Sequence, residues 1–350
     1  LGTPRISREG IGAVEKKRGP MKIRVLSAED VRRLISMAEA IQVVKEAFVQ
    51  LSEKNAQAPV RTSLKLSDQG DAALIMPAFL EKSRALGAKF VTVFPTNPQK
   101  GLPATQALVF LVDAETGSPQ ALYEGTYLTR LRTGAATGAA TQLLSRPESE
   151  VLAIFGAGGQ ALMQALGVLA VRTIREIRIS DLIPEQAETL KDELKKNPEW
   201  NPVKISRAAS AEEAVENADI LVTATTSRTP VFPGRLLSPG AHINAIGAFT
   251  PEMQEVDEET ILRSRIFVDS IETCLEEAGD LIIPLKKKLI RREDIQGELG
   301  EIVSGKKAGR RTREEITYFK SVGNAVQDIS VAQAVFRRAL EKGIGREIEL

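Results

Sequence analysis

Residues 151–181 constrain the fold of this chain more than any other stretch. The apolar run from Val151 to Phe155 predicts a buried strand, which stops at the glycine-rich segment GAGGQA of residues 156–161. Residues 162–171 then predict a helix, and residues 177–180 predict a second strand that ends at Asp181. Together they form a strand–turn–helix–strand unit with a glycine-rich turn.

Each part of this turn suits the binding of a dinucleotide. Gly156 permits a tight turn, Gly158 lets a pyrophosphate approach the backbone, and Ala161 lets the helix pack closely on the strand. The start of the helix attracts phosphate charge. The carboxylate of Asp181 can accept hydrogen bonds from the ribose hydroxyls of the adenosine, and it repels a 2′-phosphate. NAD(H) is therefore the preferred cofactor, and NADP(H) is possible. The alternative is a structural glycine turn in an unrelated α/β domain.

The order of predicted elements indicates two domains. From residue 151 strands and helices alternate, which predicts a Rossmann domain with a doubly wound parallel sheet over residues 142–317. Short β-rich runs after Pro59 predict antiparallel hairpins. They belong to a smaller N-terminal α+β domain of residues 21–141, completed by a C-terminal helix within residues 318–350. Residues 1–20 are polar and basic and are expected to lie outside the fold.

Composition excludes several classes of function. The chain has 47 basic and 46 acidic residues among 350, so no bulk charge favours nucleic acid. Its one cysteine, Cys274, excludes an internal disulfide and a cysteine-based metal site, and favours the cytoplasm. His242 lies in an apolar run and is expected to be buried. We therefore predict no metal, and no apolar stretch reaches the length of a membrane span.

Three cations stand in apolar surroundings: Arg61, Lys89 and Arg132. A lysine inside an apolar strand is costly to bury and needs a partner. If the three converged on a cleft, they would form a binding site for a carboxylate, with Arg61 able to bind it through two hydrogen bonds. The alternative is that each of them, taken singly, is a surface charge.

These residues lie in segments that resemble the ornithine cyclodeaminase/mu-crystallin family. The segments are PVRTSL, LGAKFVTVFPTNPQKGLPATQALVFLVDAETGSPQAL, TRLRTGAATGAAT, FGAGGQA, VTATTS, INAIGAFTPEMQEVD and KSVGNAVQD. The resemblance implies a homodimer formed by the N-terminal domain. It also implies that Arg61 holds the substrate carboxylate, that Lys89 acts at the reacting centre, and that Arg132 lies near substrate and cofactor phosphate.

The same resemblance completes the set of candidate site residues. Lys89 is the predicted catalytic residue, and Arg61, Lys89, Arg132 and Phe249 are the predicted substrate-binding residues. The predicted cofactor-binding residues are Arg132, Thr133, Gly156, Ala157, Gly158, Gly159, Gln160, Asp181, Thr223, Ala224, Thr225 and Gly247.

One residue departs from the family pattern. Cyclodeaminases and the related alanine dehydrogenase carry an aspartate that acts as acid and base where this chain has Phe249. Phenylalanine transfers no proton. The departure therefore lowers the expectation of ornithine cyclodeamination, and the apolar ring suits a flat cyclic imine. The alternative is that Glu252 or Glu255 supplies the missing acid.

We therefore expect a reductase of a small cyclic imino acid, of the type that converts Δ1-pyrroline-2-carboxylate to proline. The hydride would pass from the nicotinamide to the C=N carbon while a cation such as Lys89 polarises the imine. Ornithine cyclodeaminase, which yields proline and ammonia, and an alanine-type amino-acid dehydrogenase are alternatives. A further alternative, from a different class, is a mu-crystallin-like protein that binds a small ligand without turnover.

Overall fold

The computed structural model describes residues 21–68, 70–198 and 202–350. The predicted extension of residues 1–20 lies outside the described residues. Within them the chain forms two eight-stranded sheets. No helix among these residues is long and apolar enough to cross a membrane.

The N-terminal sheet contains β1 (Lys22–Leu26), β2 (Ala56–Gln57), β3 (Thr62–Lys65), β4 (Ala72–Leu80), β5 (Ala85–Val93), β6 (Thr105–Asp113), β7 (Pro119–Glu124) and β16 (Arg346–Glu349). The second sheet contains β8 (Val151–Phe155), β9 (Glu176–Ser180), β10 (Lys204–Arg207), β11 (Ile220–Thr223), β12 (His242–Ala245), β13 (Ser264–Val268), β14 (Ile295–Glu298) and β15 (Ile316–Lys320). The helices are α1 (Ala28–Leu34), α2 (Met37–Ser52), α3 (Gly125–Leu144), α4 (Ala161–Leu169), α5 (Pro184–Lys195), α6 (Ala211–Val215), α7 (Glu258–Arg263), α8 (Ile271–Glu277), α9 (Gly279–Lys286), α10 (Leu299–Val303) and α11 (Ala325–Lys342).

The N-terminal sheet is built from the hairpins that the sequence predicts. Its order is β16-β1-β7-β6-β5-β4-β2, with β3 paired to β4, and every pairing except β1 with β7 is antiparallel. Alternate residues of β4, β5 and β6 are buried, as expected for a sheet with one covered face. The C-terminal helix α11 packs on this covered face.

The second sheet is parallel throughout, in the order β10-β9-β8-β11-β12-β15-β13-β14. The direction of winding reverses between β8 and β11, which is where doubly wound sheets bind ligands. The predicted α/β class with a Rossmann sheet is therefore confirmed. The central strands β8, β11, β12 and β15 are almost entirely buried, as expected for a sheet covered by helices on both faces, whereas the edge strands β10 and β14 are only partly buried.

The second domain differs from the prediction in two strands and two boundaries. The alternating pattern of the sequence does not predict β14 or β15 as strands. The predicted boundary between residues 317 and 318 cuts through β15, which pairs with both β12 and β13. The parallel sheet therefore extends to Lys320. The predicted boundary between residues 141 and 142 lies inside α3, which packs against α2 of one domain and α4 of the other.

Candidate active site

Lys89 lies on the covered face of the N-terminal sheet. Its cross-strand neighbours are Met76 on β4 and Val109 on β6, both buried. The lysine itself is 1% exposed, which excludes a surface charge. Its Nζ donates a hydrogen bond to Oδ2 of Asp328 at 2.8 Å. An ammonium group inside an apolar sheet face thus has a carboxylate partner, as its burial requires.

Asp328 joins two of the predicted cations. It lies in the first turn of α11 and is completely buried. Its Oδ1 accepts a hydrogen bond from Nε of Arg132 at 3.0 Å, and Nη1 of Arg132 donates to Oε1 of Gln327 at 2.6 Å. One carboxylate therefore binds Lys89 and Arg132 at the same time. The sequence analysis did not single out Asp328, although the quoted segment KSVGNAVQD contains it.

Burial determines the protonation of Lys89. Loss of solvent lowers the pKa of Lys89 to about 7, and the charges of Arg132 and Arg61 act in the same direction while Asp328 opposes them. A lysine with this pKa exchanges its proton near neutral pH. It is therefore suited to act as a general acid.

Arg61 approaches the same place from the other side. Its Nη2 donates to the carbonyl oxygens of Val322 and Gly323, at 2.9 and 3.3 Å, and forms an ion pair with Glu277 at the end of α8. Gly323 has φ of +84°, and a Cβ there would lie 2.6 Å from Nη1 of Arg132. The turn between β15 and α11 thus brings the two arginines together beside Lys89.

The site is a cluster of buried charges. Its members are the three cations Arg61, Lys89 and Arg132 and the two carboxylates Glu277 and Asp328. A third carboxylate, Asp269, accepts hydrogen bonds from two backbone nitrogens of the turn between β15 and α11, at 2.9 and 3.1 Å. The two guanidinium groups are of the kind that binds the carboxylate of a small substrate.

The glycine-rich turn occupies the point where the sheet reverses its winding. Gly156 has φ of +92°, and a Cβ there would lie 2.8 Å from the carbonyl oxygen of Ala224. The absence of a side chain at Gly156 therefore lets the turn after β8 pack against the turn after β11. At Gly158 a Cβ would meet no atom within 4 Å. Asp181 accepts a hydrogen bond from the backbone nitrogen of Ala157 at 2.6 Å, which holds its carboxylate beside the turn.

Helix α4 begins directly after this turn. Gln160 is its N-cap residue and makes no side-chain capping bond. The backbone nitrogen of Ala161 donates to the carbonyl oxygen of Gly158 at 3.0 Å, and the next N–H groups of the first turn are available to bind an anion. Open space at Gly158, an uncapped helix start and the Asp181 carboxylate together fit a dinucleotide. Thr133 is buried on α3, and its hydroxyl donates to the carbonyl oxygen of Thr129 at 2.7 Å.

Glu255 organises the loops that follow β11 and β12. Its carboxylate accepts hydrogen bonds from the hydroxyls of Thr223 and Thr225 and from the backbone nitrogens of Thr225, Gly247 and Ala248, at 2.6–3.0 Å. The residue is completely buried, and burial raises its pKa. Its oxygens are engaged in holding the predicted cofactor loops in place, so Glu255 does not replace the missing aspartate.

Phe249 lies four residues beyond β12, at the carboxyl edge of the parallel sheet, and packs against the apolar core of the second domain. The other alternative acid, Glu252, is exposed in the same loop. Among the described residues no group of three histidine, cysteine or acidic side chains could hold a metal ion.

Comparison with known proteins agrees with this architecture. The sequence model of the ornithine cyclodeaminase/mu-crystallin family matches residues 21–343. The chain belongs to this family. A family member from Bacillus cereus, named Delta(1)-pyrroline-2-carboxylate reductase, is 43% identical over 326 residues, which cover 93% of this chain and 99% of the relative.

Two solved structures of the ornithine cyclodeaminase/mu-crystallin family have the same fold. Delta(1)-pyrroline-2-carboxylate reductase of Thermococcus litoralis, in complex with NADH and L-proline, superposes with a TM-score of 0.90 at 42% identity, covering 93% of this chain and 100% of that one. An archaeal alanine dehydrogenase dimer with bound NAD superposes with a TM-score of 0.87 at 38% identity, covering 94% and 100%. An alanine dehydrogenase of Archaeoglobus fulgidus is also 38% identical, over 94% of this chain and 99% of the relative.

Proposed function

We propose that this protein is an NAD(H)-dependent reductase of a small cyclic imino acid, of the type that converts Δ1-pyrroline-2-carboxylate to proline. The observation that carries the proposal is the buried Lys89, whose pKa is lowered to about 7 and which shares the carboxylate of Asp328 with Arg132. Relatives named as reductases of this imino acid, at 42–43% identity over nearly the whole chain, support it.

The residues of the glycine-rich turn fit the cofactor. Gly158 and the start of α4 would hold the pyrophosphate, and Asp181 would accept hydrogen bonds from the adenosine ribose. The carboxylate of Asp181 also disfavours a 2′-phosphate, so NAD(H) is preferred over NADP(H). When bound, NADH supplies a hydride to the imine carbon.

The chain itself supplies binding, orientation and a proton. Arg61 and Arg132 bind the substrate carboxylate, which fixes the position of the ring. Protonated Lys89 donates its proton to the imine nitrogen, so the carbon becomes a better hydride acceptor and the product leaves as an amine. Asp328 keeps enough of the lysine protonated for this role, since its charge opposes the effect of burial.

Phe249 favours reduction over cyclodeamination, since it offers no proton-transferring group at the carboxyl edge of the sheet. The alanine dehydrogenase relatives, at 38% identity, favour a second candidate, the NADH-dependent amination of pyruvate. In both reactions a hydride is transferred from NADH to a C=N carbon next to a carboxylate. They differ in whether the imine is supplied as a ring or formed from ammonia.

Absorbance at 340 nm tests the proposal directly. Purified protein with Δ1-pyrroline-2-carboxylate and NADH should oxidise the cofactor and form proline, and NADPH should react more slowly. Oxidation of NADH only with pyruvate and ammonia would favour the dehydrogenase. Release of ammonia from L-ornithine with NAD would identify a cyclodeaminase. Tight binding of the imino acid without turnover would indicate a binding protein.

We further propose a homodimer that assembles through the open face of the N-terminal sheet. Ile75, Phe90 and Leu108 are cross-strand neighbours on β4, β5 and β6, and each is 41–48% exposed. Phe110 continues the patch along β6. A contiguous apolar face of this kind indicates an interface. The alanine dehydrogenase relative described as a dimer supports this assembly.

The single cysteine supports a reducing, cytoplasmic location.

A further inference from the structure

Helices α3 and α4 cross at very short range, which fixes their relative position. A Cβ on Gly134 would clash with the backbone of Met163, and one on Gly138 would lie 2.7 Å from the carbonyl oxygen of Gly167. The hydroxyl of Thr137 donates to the side-chain oxygen of Gln164 within the same contact. The face of α3 that carries these residues therefore runs alongside α4 toward its N-terminus.

Arg130 lies one turn before Gly134 on this face of α3. A Cβ on Gly159 would be 3.1 Å from Nη2 and 3.4 Å from Cζ of Arg130, so the guanidinium lies against the backbone of the glycine-rich turn. The space beside Gly159 is thus filled by an arginine of the other domain. The space beside the preceding glycine, Gly158, stays open.

The charge of Arg130 is not compensated by the protein. Within residues 21–68, 70–198 and 202–350 the side chain has neither a hydrogen bond nor an ion pair, although it is half-buried. Its neighbour Arg132, in contrast, is held by Asp328 and Gln327. A partly desolvated guanidinium at the uncapped start of α4 is suited to bind an anion in that place.

We propose that Arg130 is a cofactor-positioning residue that binds the pyrophosphate of the dinucleotide. The inference rests on the proposed NAD(H) site and adds a contact from the N-terminal domain. The phosphates then lie between the start of α4 and the guanidinium. Because α3 also carries Arg132 of the substrate site, cofactor and substrate would be positioned by one rigid helix.

The test is the affinity for NADH, measured by nicotinamide fluorescence without substrate, in wild-type protein and in Arg130→Gln and Arg130→Lys. We expect about tenfold weaker binding for Arg130→Gln, since charge-assisted hydrogen bonds contribute on this scale, and a smaller loss for Arg130→Lys. Competition against NADH separates the contacts: the affinity for ADP should fall as that for NADH does, and the affinity for adenosine should not change.

Arg175→Gln is the matched control, because Arg175 is an exposed arginine paired with Glu150 at the opposite edge of the sheet. It should bind NADH like the wild type. Three results would overturn the assignment: unchanged NADH affinity in Arg130→Gln, an equal loss of ADP and adenosine affinity, or a much larger loss for NADPH than for NADH. Wild-type protein that binds no NADH would instead overturn the proposed function itself.

Discussion

At the scale of single residues, Lys89 carries the proposed chemistry. Replacing Lys89 with methionine keeps the length of the side chain but removes the proton. We expect kcat/KM for the imino acid to fall by about 100-fold or more, as is usual when a general acid is lost. The affinity for NADH should stay within about twofold, because the lysine does not touch the glycine-rich turn.

A second lysine serves as the control for this change. Lys82 is exposed and paired with Glu53 at the surface, so Lys82→Met should retain full activity. Steady-state kinetics with Δ1-pyrroline-2-carboxylate and NADH measure both variants. Full turnover by Lys89→Met would contradict the assigned role.

The pH dependence of the reaction tests the pairing of Lys89 with Asp328. The lysine donates a proton only when protonated, so kcat/KM should fall as the pH rises through about 7. Asp328 raises the pKa of the lysine against the effect of burial. In Asp328→Asn this contribution is lost, and the falling limb of the profile should move to lower pH.

The measurement is a full pH profile of kcat/KM for wild type and Asp328→Asn, with thermal unfolding recorded for both. Removing one carboxylate from two buried cations also destabilises the fold, so the profile is read only at temperatures where the variant is folded. A falling limb at the same pH in both proteins would show that Asp328 does not control the proton of Lys89.

The sequence predicts the cations of the site better than their partners. Arg61, Lys89 and Arg132 stand out because charges in apolar surroundings are unusual. Asp328 lies 239 positions from Lys89 along the chain, and helical spacing alone does not show which sheet its helix covers. Glu255 likewise acquires its role only when two strand ends meet. The local sequence pattern therefore identifies which charged residue needs a partner, and long-range packing decides which residue is that partner.

At the scale of elements, two glycines of the second domain have separable roles. Gly167 allows α4 to touch α3, and a Cβ there would clash with the carbonyl oxygen of Gly134. We expect Gly167→Ala to lower the free energy of unfolding by about 1–3 kcal/mol, the usual cost of overpacking. Denaturant unfolding measures this loss.

Gly158→Ala should weaken NADH binding and leave the free energy of unfolding unchanged. No atom lies within 4 Å of the added Cβ, so stability should be unchanged, whereas the methyl group occupies the space proposed for the pyrophosphate. NADH affinity measured by fluorescence should therefore fall. If Gly158→Ala unfolds more easily while binding NADH normally, the open space at this turn has no part in cofactor binding.

The secondary-structure elements also show which parts of the fold the local sequence pattern predicts and which it does not. The hairpins, the helix starts at Ser27 and Ser36, and six of the eight parallel strands follow from local signals. β15 does not, because ITYFK is a short apolar run in a charged region, and periodicity does not distinguish such a run from a loop or a helix. Its place between β12 and β13 is out of chain order, so only the assembled sheet reveals it.

At the scale of the whole molecule, two helices connect the domains and build the site. α3 leaves the N-terminal sheet, carries Arg132 and packs on α4 of the parallel sheet. α11 returns from β15 and brings Asp328 to Lys89. The pairs of Lys89 and Arg132 with Asp328 therefore form within the N-terminal domain and its C-terminal helix, and the second domain adds Glu277 beside Arg61.

The open face of the N-terminal sheet remains to be covered, and this leads to a prediction about assembly. Phe90 and Phe110 are 41% and 43% exposed on adjacent strands, on the side of the sheet opposite Lys89. In a homodimer built on this face, each substitution places a charge in the interface twice. Phe90→Asp combined with Phe110→Asp should therefore convert the dimer to a monomer, as measured by sedimentation velocity. Leu262→Asp, at an exposed leucine of α7, should leave the dimer intact. A double variant that sediments as a dimer would place the interface elsewhere on the molecule.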